Sequence, residues 1–172
     1  MKISLIAAVG KNNVIGADGD LPWSLPKDMK FFSSTTRGHH VLMGRKNFES
    51  IPEKYRPLPG RPNLVVTRNA DYKADGAAVF TTINEAINHA RLAGEEELFI
   101  VGGGEIYKQT LHLADALYIT EVDAEPVGDA HFPAFERGAY KAEQIAQYDK
   151  DCLLYTSPSP RDLSTSRMPS SA

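Results

Sequence analysis

The chain has 172 residues, 42% hydrophobic and 24% charged, enough for one buried core without requiring a second domain. A net charge of -3 with no long run of Lys or Arg excludes a general nucleic-acid footprint, so any positive field is local. The single cysteine, Cys152, excludes an internal disulfide framework and suits a reducing, cytoplasmic compartment.

The opening "MKISLIAAVG" has one Lys and a short apolar run, too short to span a membrane, and reads as a buried strand over Ile3–Val9. A long irregular stretch, Gly10 to Trp23, follows and reads as a lid over the strand ends. In "LPWSLPKDMKFF" a helix is expected over Leu25–Thr36, with Ser24 as cap and Pro26 in the first turn. Leu25, Met29, Phe32 and Thr36 then share one face, and Asp28 points the same way. A carboxylate among apolar neighbours needs a cationic or hydrogen-bonding partner, so Asp28 is a functional candidate.

The next strand, His40–Met43, begins just after His39; at that strand start the adjacent His39 and His40 should point to opposite faces, and the five histidines show no metal-ligand spacing. In "VLMGRKNFESI" the strand runs into a short helix that begins with Arg45 and Lys46. The helix dipole disfavours cations there, and a bound anion would offset the conflict. From Arg45 to Arg68 there are six Lys or Arg (Arg45, Lys46, Lys54, Arg56, Arg61, Arg68) against Glu49 and Glu53. That stretch reads either as a solvated face or as a groove for small anionic ligands.

Further strands are expected at Asn63–Thr67, Ala78–Phe80, Glu97–Val101 and Ala116–Val122, and helices at Ile83–Ala93 and Glu105–His112. The first of these helices carries a capping box, Thr82 with Glu85, and Gly94 to stop it. "FIVGGGEIY" joins strand to helix through three glycines, which permit close backbone approach beside free N–H groups, although a tight turn alone needs the same residues. Strand and helix alternate, so the expected fold is a single α/β domain with a mainly parallel central sheet flanked by helices. There is no G-x-S-x-G elbow, Cys-His pair or metal set, so one acid without a nucleophile points to chemistry carried by a cofactor.

Five motifs, "VIGADGDLPWSLPKDMKFF", "VLMGRKNFESI", "RPLPGRPNLVVTRN", "IVGGGEIY" and "YITEVDAEPVGDAHFP", stand in order between roughly Lys2 and Asp149. Together they resemble the bacterial dihydrofolate reductase family. The resemblance implies NADPH-dependent reduction of 7,8-dihydrofolate to tetrahydrofolate, by hydride transfer to pterin C6 and protonation at N5, in a cytoplasmic monomer. It implies no metal, nucleic-acid or membrane partner. Asp28 would bind the pterin's 2-amino and ring N–H groups and favour N5 protonation. Trp23 would help hold a water nearby, and Thr120 would bond Asp28 and the pterin through water. Ile6, Ala7, Met29, Phe32, Ile51 and Leu58 would line the substrate pocket, and Arg61 would pair with the substrate's glutamate carboxylate.

On the cofactor side, the resemblance places Gly102, Gly103 and Gly104 under the pyrophosphate, with a Gly-Gly peptide usually cis. Arg45, Lys46, Thr67 and Arg68 would surround the adenosine end, where positive charge selects the 2′-phosphate. Ala8, Ile15, Gly16, Leu21, Gly44 and Asn47 match further cofactor positions, as do Val66, Val101, Glu105, Ile106 and Tyr107. Asp129 would act in closing a loop against the lid near Gly16. Two rivals are a same-fold riboflavin-pathway reductase, which would lack the Trp23 to Asp28 signature, and a silent relative that would lose Asp28 or the glycines.

The C-terminus departs from the pattern. After the strand-like Tyr140 to Asp149, the family should close with an antiparallel strand, but "CLLYTSPSPRDLSTSRMPSSA" follows, with 11 of 21 residues Ser, Thr or Pro. The expected organisation is therefore a domain over 1–151 and a foreign, disordered tail over 152–172, with the closing strand missing or replaced. Cys152–Ser157, which alone has the β-propensity to substitute, is expected to pair weakly or not at all and to leave Tyr140–Tyr148 with an incomplete partner.

Overall fold

A computed structural model of the protein describes residues 1–10, 14–16, 26–121, 130–135, 141–147 and 151–156. In chain order these form β1 (Lys2–Val9), β2 (Val14–Gly16), α1 (Pro26–Thr36), β3 (Val41–Gly44), α2 (Arg45–Ser50), β4 (Asn63–Val66), β5 (Ala77–Phe80) and α3 (Ile83–Leu92). Then come β6 (Glu97–Gly102), α4 (Gly104–Thr110), β7 (Ala116–Glu121), β8 (Ala130–His131), β9 (Lys141–Gln147) and β10 (Asp151–Thr156). The main sheet runs β5-β4-β3-β6-β1-β7-β10-β9. Its members from β5 to β7 are parallel, while β10 is antiparallel to both neighbours.

The parallel strands are apolar on both faces because both faces are covered, as βαβ connections require. Alternate residues diverge. Leu5, Leu42, Leu64, Leu98 and Ile100 pack against Ala86, Ile87 and Ala90 of α3 and Ile106 of α4. Ile6, Val41, Met43, Val65 and Phe99 form the opposite cluster with Phe48 of α2, and Phe31 and Phe32 of α1 pack against it. Val41, Leu42 and Met43 are consecutive and all fully buried.

Element boundaries follow local chemistry. Thr82 Oγ1 accepts the Glu85 N–H at 3.1 Å to start α3, and Gly94 at φ +84° terminates it. The expected helix to His112 stops instead at Thr110 and tightens into a 3-10 turn over Leu111–Leu113. Ser24 and Leu25 lie outside the described residues.

His39 and His40 do not diverge as the strand pattern suggested, because both precede β3. Their Nδ1 atoms lie 2.8 and 2.6 Å from the two oxygens of the same carboxylate, Glu95, whose side chain is 6% exposed. Backbone N–H groups of His40, Glu96 and Glu97 also donate to it, so Glu95 ties the starts of β3 and β6 together. Burial alone would raise the Glu95 pKa, but bonds from the His39 ring, the His40 N–H and ring, and the Glu97 N–H outweigh it and lower the value from 4.5 to about 2. A depressed carboxylate adds stability that is complete above pH 4.5 and is lost as pH falls towards 2. Glu95→Gln should therefore cost on the order of 2–3 kcal/mol at neutral pH and flatten the stability profile between pH 5 and about 3. Urea unfolding across that range checks it, and an unchanged slope would dismiss the clamp.

The chain end corrects the expectation that Cys152–Ser157 pairs weakly or not at all and leaves the strand before it with an incomplete partner. Asp151–Thr156 forms β10, each of whose residues pairs with β7 from Asp151↔Glu121 to Thr156↔Ala116 and with β9 from Asp151↔Gln147 to Thr156↔Lys141. The segment thus pairs on both sides, and β9 has a partner along its length with one irregularity opposite Cys152/Leu153. Pro158 and Pro160 fall beyond the last paired residue, so they do not interrupt the ladder. Residues 157–172 lie outside the described residues.

Candidate functional site

A cleft of about 1870 Å³ opens where the parallel strands end. The connection after β1 runs through α1 to the β3 side of the sheet, and that after β6 runs through α4 to β7 on the other side. Neighbouring strands whose connections leave in opposite directions create a crevice at their C-terminal ends, and Ala7, Ala8 and Val101 to Gly104 line it.

One set of walls comes from β1, α1 and the chain after α2: Ile6, Ala7, Phe32, Ile51, Leu58 and Arg61. Asn63, 2% exposed, shapes this wall, with its Oδ1 accepting the Leu58 N–H at 2.9 Å and its Nδ2 donating to the Leu58 carbonyl at 3.1 Å. Arg61 is anchored from behind. Its Nε donates to the Pro59 carbonyl at 2.9 Å, its Nη1 donates to Thr36 Oγ1 at 3.0 Å, and the guanidinium carbon lies 5.9 Å from the Phe32 ring centroid. Burial and then Arg37 lower its pKa, and a guanidinium keeps its charge in proteins. Among the described residues no carboxylate lies within ion-pair distance of Arg61, so it presents an uncompensated cation at the cleft.

The other set surrounds two strand-to-helix turns. The Gly102–Gly103 peptide is cis, and Gly102 has φ +121°, where a Cβ would also crowd the Tyr107 ring at 3.3–3.4 Å. At Gly103 a Cβ would meet no protein atom within 4 Å, so backbone there faces open space on the cleft. At Gly104 a Cβ would stand 2.9 Å from the His131 carbonyl oxygen, which leaves no room for a side chain. Tyr107, buried, donates its hydroxyl to the Ile6 carbonyl at 2.6 Å and locks α4 to β1. At the second turn, Gly44 caps α2 without a side-chain bond, and no acid occupies the first turn. Asn47 Nδ2 donates to the Val101 carbonyl at 3.4 Å and links the two turns. In a chain of net charge -3, the described cleft lining has Arg45, Lys46, Arg61 and Arg68 against Glu105 as its only acid, a local positive field suited to an anion.

Gly44 to Asn47, Val66 to Arg68 and Val101 to Tyr107 thus share one cleft with the pocket residues. Thr120 does not line it: it is 3% exposed on β7, paired with Ala8 and Cys152. Asp28 and Met29 belong to α1, and Ile15 and Gly16 to β2, but their side chains lie outside what is described. Leu21, Trp23 and Asp129 lie outside the described residues. Gly16 pairs with Ala130, the residue after Asp129, in a two-stranded sheet of β2 and β8 that sequence patterning did not show.

Sequence reasoning missed Tyr55, Thr81, Ile83, Asn84, Gln109 and His112 on the lining, and read Thr82 only as a cap. Thr81 to Asn84 follow β5 on the side where the other strand ends open, and the rule that ligands gather there would have found them. Tyr55 sits in a 3-10 turn with no periodic signal.

Residues 2–155 match the family model described as dihydrofolate reductase. The chain is 48% identical over 156 residues to "Dihydrofolate reductase type 3" of Salmonella typhimurium, covering 86% of this chain and 93% of the relative. It is 42% identical to the dihydrofolate reductase of Bacillus subtilis, covering 87% and 86%. A solved dihydrofolate reductase from Enterococcus faecalis, complexed with NADP(H) and RAB-propyl, superposes with TM-score 0.75 at 30% identity, covering 90% of this chain and 93% of that one.

Proposed function

The chain belongs to the dihydrofolate reductase family and catalyses NADPH-dependent reduction of 7,8-dihydrofolate to tetrahydrofolate for one-carbon metabolism, and we propose how its own residues divide that work. The carrying observation is that one cleft holds an open glycine turn, a cluster of cations and an apolar wall with an uncompensated arginine. Those are the needs of a phosphate-bearing cofactor beside a flat acid-tailed substrate.

The residues fit NADPH. Open backbone at Gly103, with Gly102 and Gly104 lacking side chains, admits a pyrophosphate, and Arg45, Lys46, Thr67 and Arg68 take the adenosine end and its 2′-phosphate. Gly44, Asn47, Val66, Val101, Glu105, Ile106 and Tyr107 complete that wall, with Ala8, Ile15, Gly16 and Leu21 towards the nicotinamide. When bound, NADPH supplies a hydride from nicotinamide C4 to pterin C6.

The chain's own residues bind, orient and charge the substrate. Ile6, Ala7, Met29, Phe32, Ile51 and Leu58 enclose the pterin and aminobenzoyl rings and exclude water. Asp28 accepts from the 2-amino and ring N–H groups, and its negative charge favours a proton at N5. Trp23 holds a water near that acid, and Thr120 bonds Asp28 and the pterin through water. Asp129 acts in closing its loop against the lid near Gly16, which pairs with Ala130. We propose a cytoplasmic monomer, and the single cysteine suits a reducing compartment.

Spectrophotometric loss of NADPH on adding dihydrofolate tests the reaction, and no substrate-dependent oxidation by folded protein would overturn it. Arg61→Leu should raise KM for dihydrofolate roughly 10- to 100-fold, the worth of a charge-assisted fork on a carboxylate, while KM for NADPH stays nearly constant. Equal effects on both ligands would remove Arg61 from the substrate's tail.

A further inference from the structure

Arg45 opens α2 on the cleft wall, and it is held from two sides. Its Nη1 lies 3.2 Å from Glu49 Oε1 one turn further on, and its guanidinium carbon sits 5.8 Å from the centroid of the Tyr72 ring. Tyr72 does not line the cleft; it packs, partly buried, on the core cluster that includes Phe48 and Val65.

The loop after β4 explains how that ring arrives there. Thr67 Oγ1 accepts the Asn69 N–H at 3.2 Å, Asn69 Oδ1 accepts the Asp71 N–H at 3.0 Å, and the Tyr72 N–H donates to the Asn69 carbonyl at 3.1 Å. These bonds wind the chain into a compact turn. One end of it leaves Arg68 on the cleft wall, and the other returns Tyr72 behind Arg45.

We propose that Tyr72 is a positioning residue for cofactor selectivity: its ring holds the Arg45 guanidinium ready for the 2′-phosphate and so enlarges the preference for NADPH over NADH. The proposal rests on the reading of Arg45 as a 2′-phosphate ligand. An unbraced arginine loses rotamer freedom on binding a phosphate, and a ring whose centroid lies 5.8 Å from the guanidinium carbon restricts that freedom beforehand. Glu49 also orients Arg45, but its negative charge opposes a phosphate. The phenol does not, since burial and then Glu49 raise its pKa and keep it neutral.

The test is kcat/KM for NADPH and for NADH, at saturating dihydrofolate, in wild type, Tyr72→Leu, Tyr72→Phe, Arg45→Gln and the Tyr72→Leu/Arg45→Gln double variant. Tyr72→Leu should lower the NADPH-to-NADH ratio about two- to fivefold, through KM for NADPH, with the NADH values unchanged. Tyr72→Phe should retain the ratio because it retains the ring. The effect of Tyr72→Leu should vanish once Arg45 is glutamine, which a merely structural role would not produce. Equal losses with both cofactors, or an effect that persists without Arg45, would overturn the proposal. If Arg45→Gln narrows the ratio and Tyr72→Leu does not, the brace alone falls; if Arg45→Gln leaves the ratio intact, the 2′-phosphate reading falls and takes the brace with it.

Discussion

Asp28→Asn is expected to leave the protein folded and to reduce turnover near pH 7 by roughly 100- to 1000-fold, within the range for loss of a positioned acid or base. Asparagine keeps the shape and one acceptor oxygen, so binding should suffer less than turnover. What it lacks is the negative charge that supports a proton on the pterin. Activity should therefore recover in part as pH falls and substrate takes its proton from solvent, and the turnover profile should shift to lower pH than wild type. Asp28 is the third residue of α1, where the partial positive charge of a helix start favours an anion, so the substitution removes a small stabilising term besides the chemical one. Thermal melting separates the two effects. An Asp28→Asn enzyme that matches wild type at pH 7 would strip the acid of its role.

Asp28 also marks how far sequence alone reaches. A lone carboxylate on an apolar helix face announces that a partner is missing, but only the resemblance says that the partner is a pterin. The strands were legible because β3 and its neighbours are apolar on both faces, a pattern that only a covered parallel sheet explains. The glycine turn was legible only as backbone that permits close approach, which a tight turn would need as well, and the structure adds that Gly103 faces open space. The Glu95 clamp was not legible, since two histidines beside a strand reveal nothing about a carboxylate 55 residues away. The same holds for Tyr72 behind Arg45 and for β2 against β8, whose pairing is too short to impose a hydrophobic period. Long-range partnerships between side chains leave no local periodicity, and periodicity is what a single sequence displays.

β10 is the instructive miss: Cys152–Ser157 shows strand propensity, but the composition of the 21-residue window that holds five of the six residues of β10 argued against firm pairing. "DCLLYT" has the aliphatic and aromatic content of a strand, and every Ser and Pro of the window lies beyond it. In the sheet order β10 stands between β7 and β9, so it is an interior strand in spite of its place late in the sequence. A chain ending at Lys150 would lose both ladders. It would leave β7, with Leu117 fully buried and Ile119 at 1% exposure, as an open edge, and β9 with no neighbour. Since a domain's whole stability is only about 5–15 kcal/mol, removing an interior strand is expected to unfold the protein or drive it into aggregates. A chain ending at Ser157 keeps every paired residue of β10 and should melt and turn over as the full chain does, because the Ser-, Thr- and Pro-rich segment beyond it lacks the apolar content to contribute a packed surface. Size-exclusion chromatography and thermal melting of the two truncations decide the matter. A Lys150 end that melts with the full chain would show β10 to be dispensable, and a Ser157 end that destabilises it would show that residues 158–172 belong to the fold.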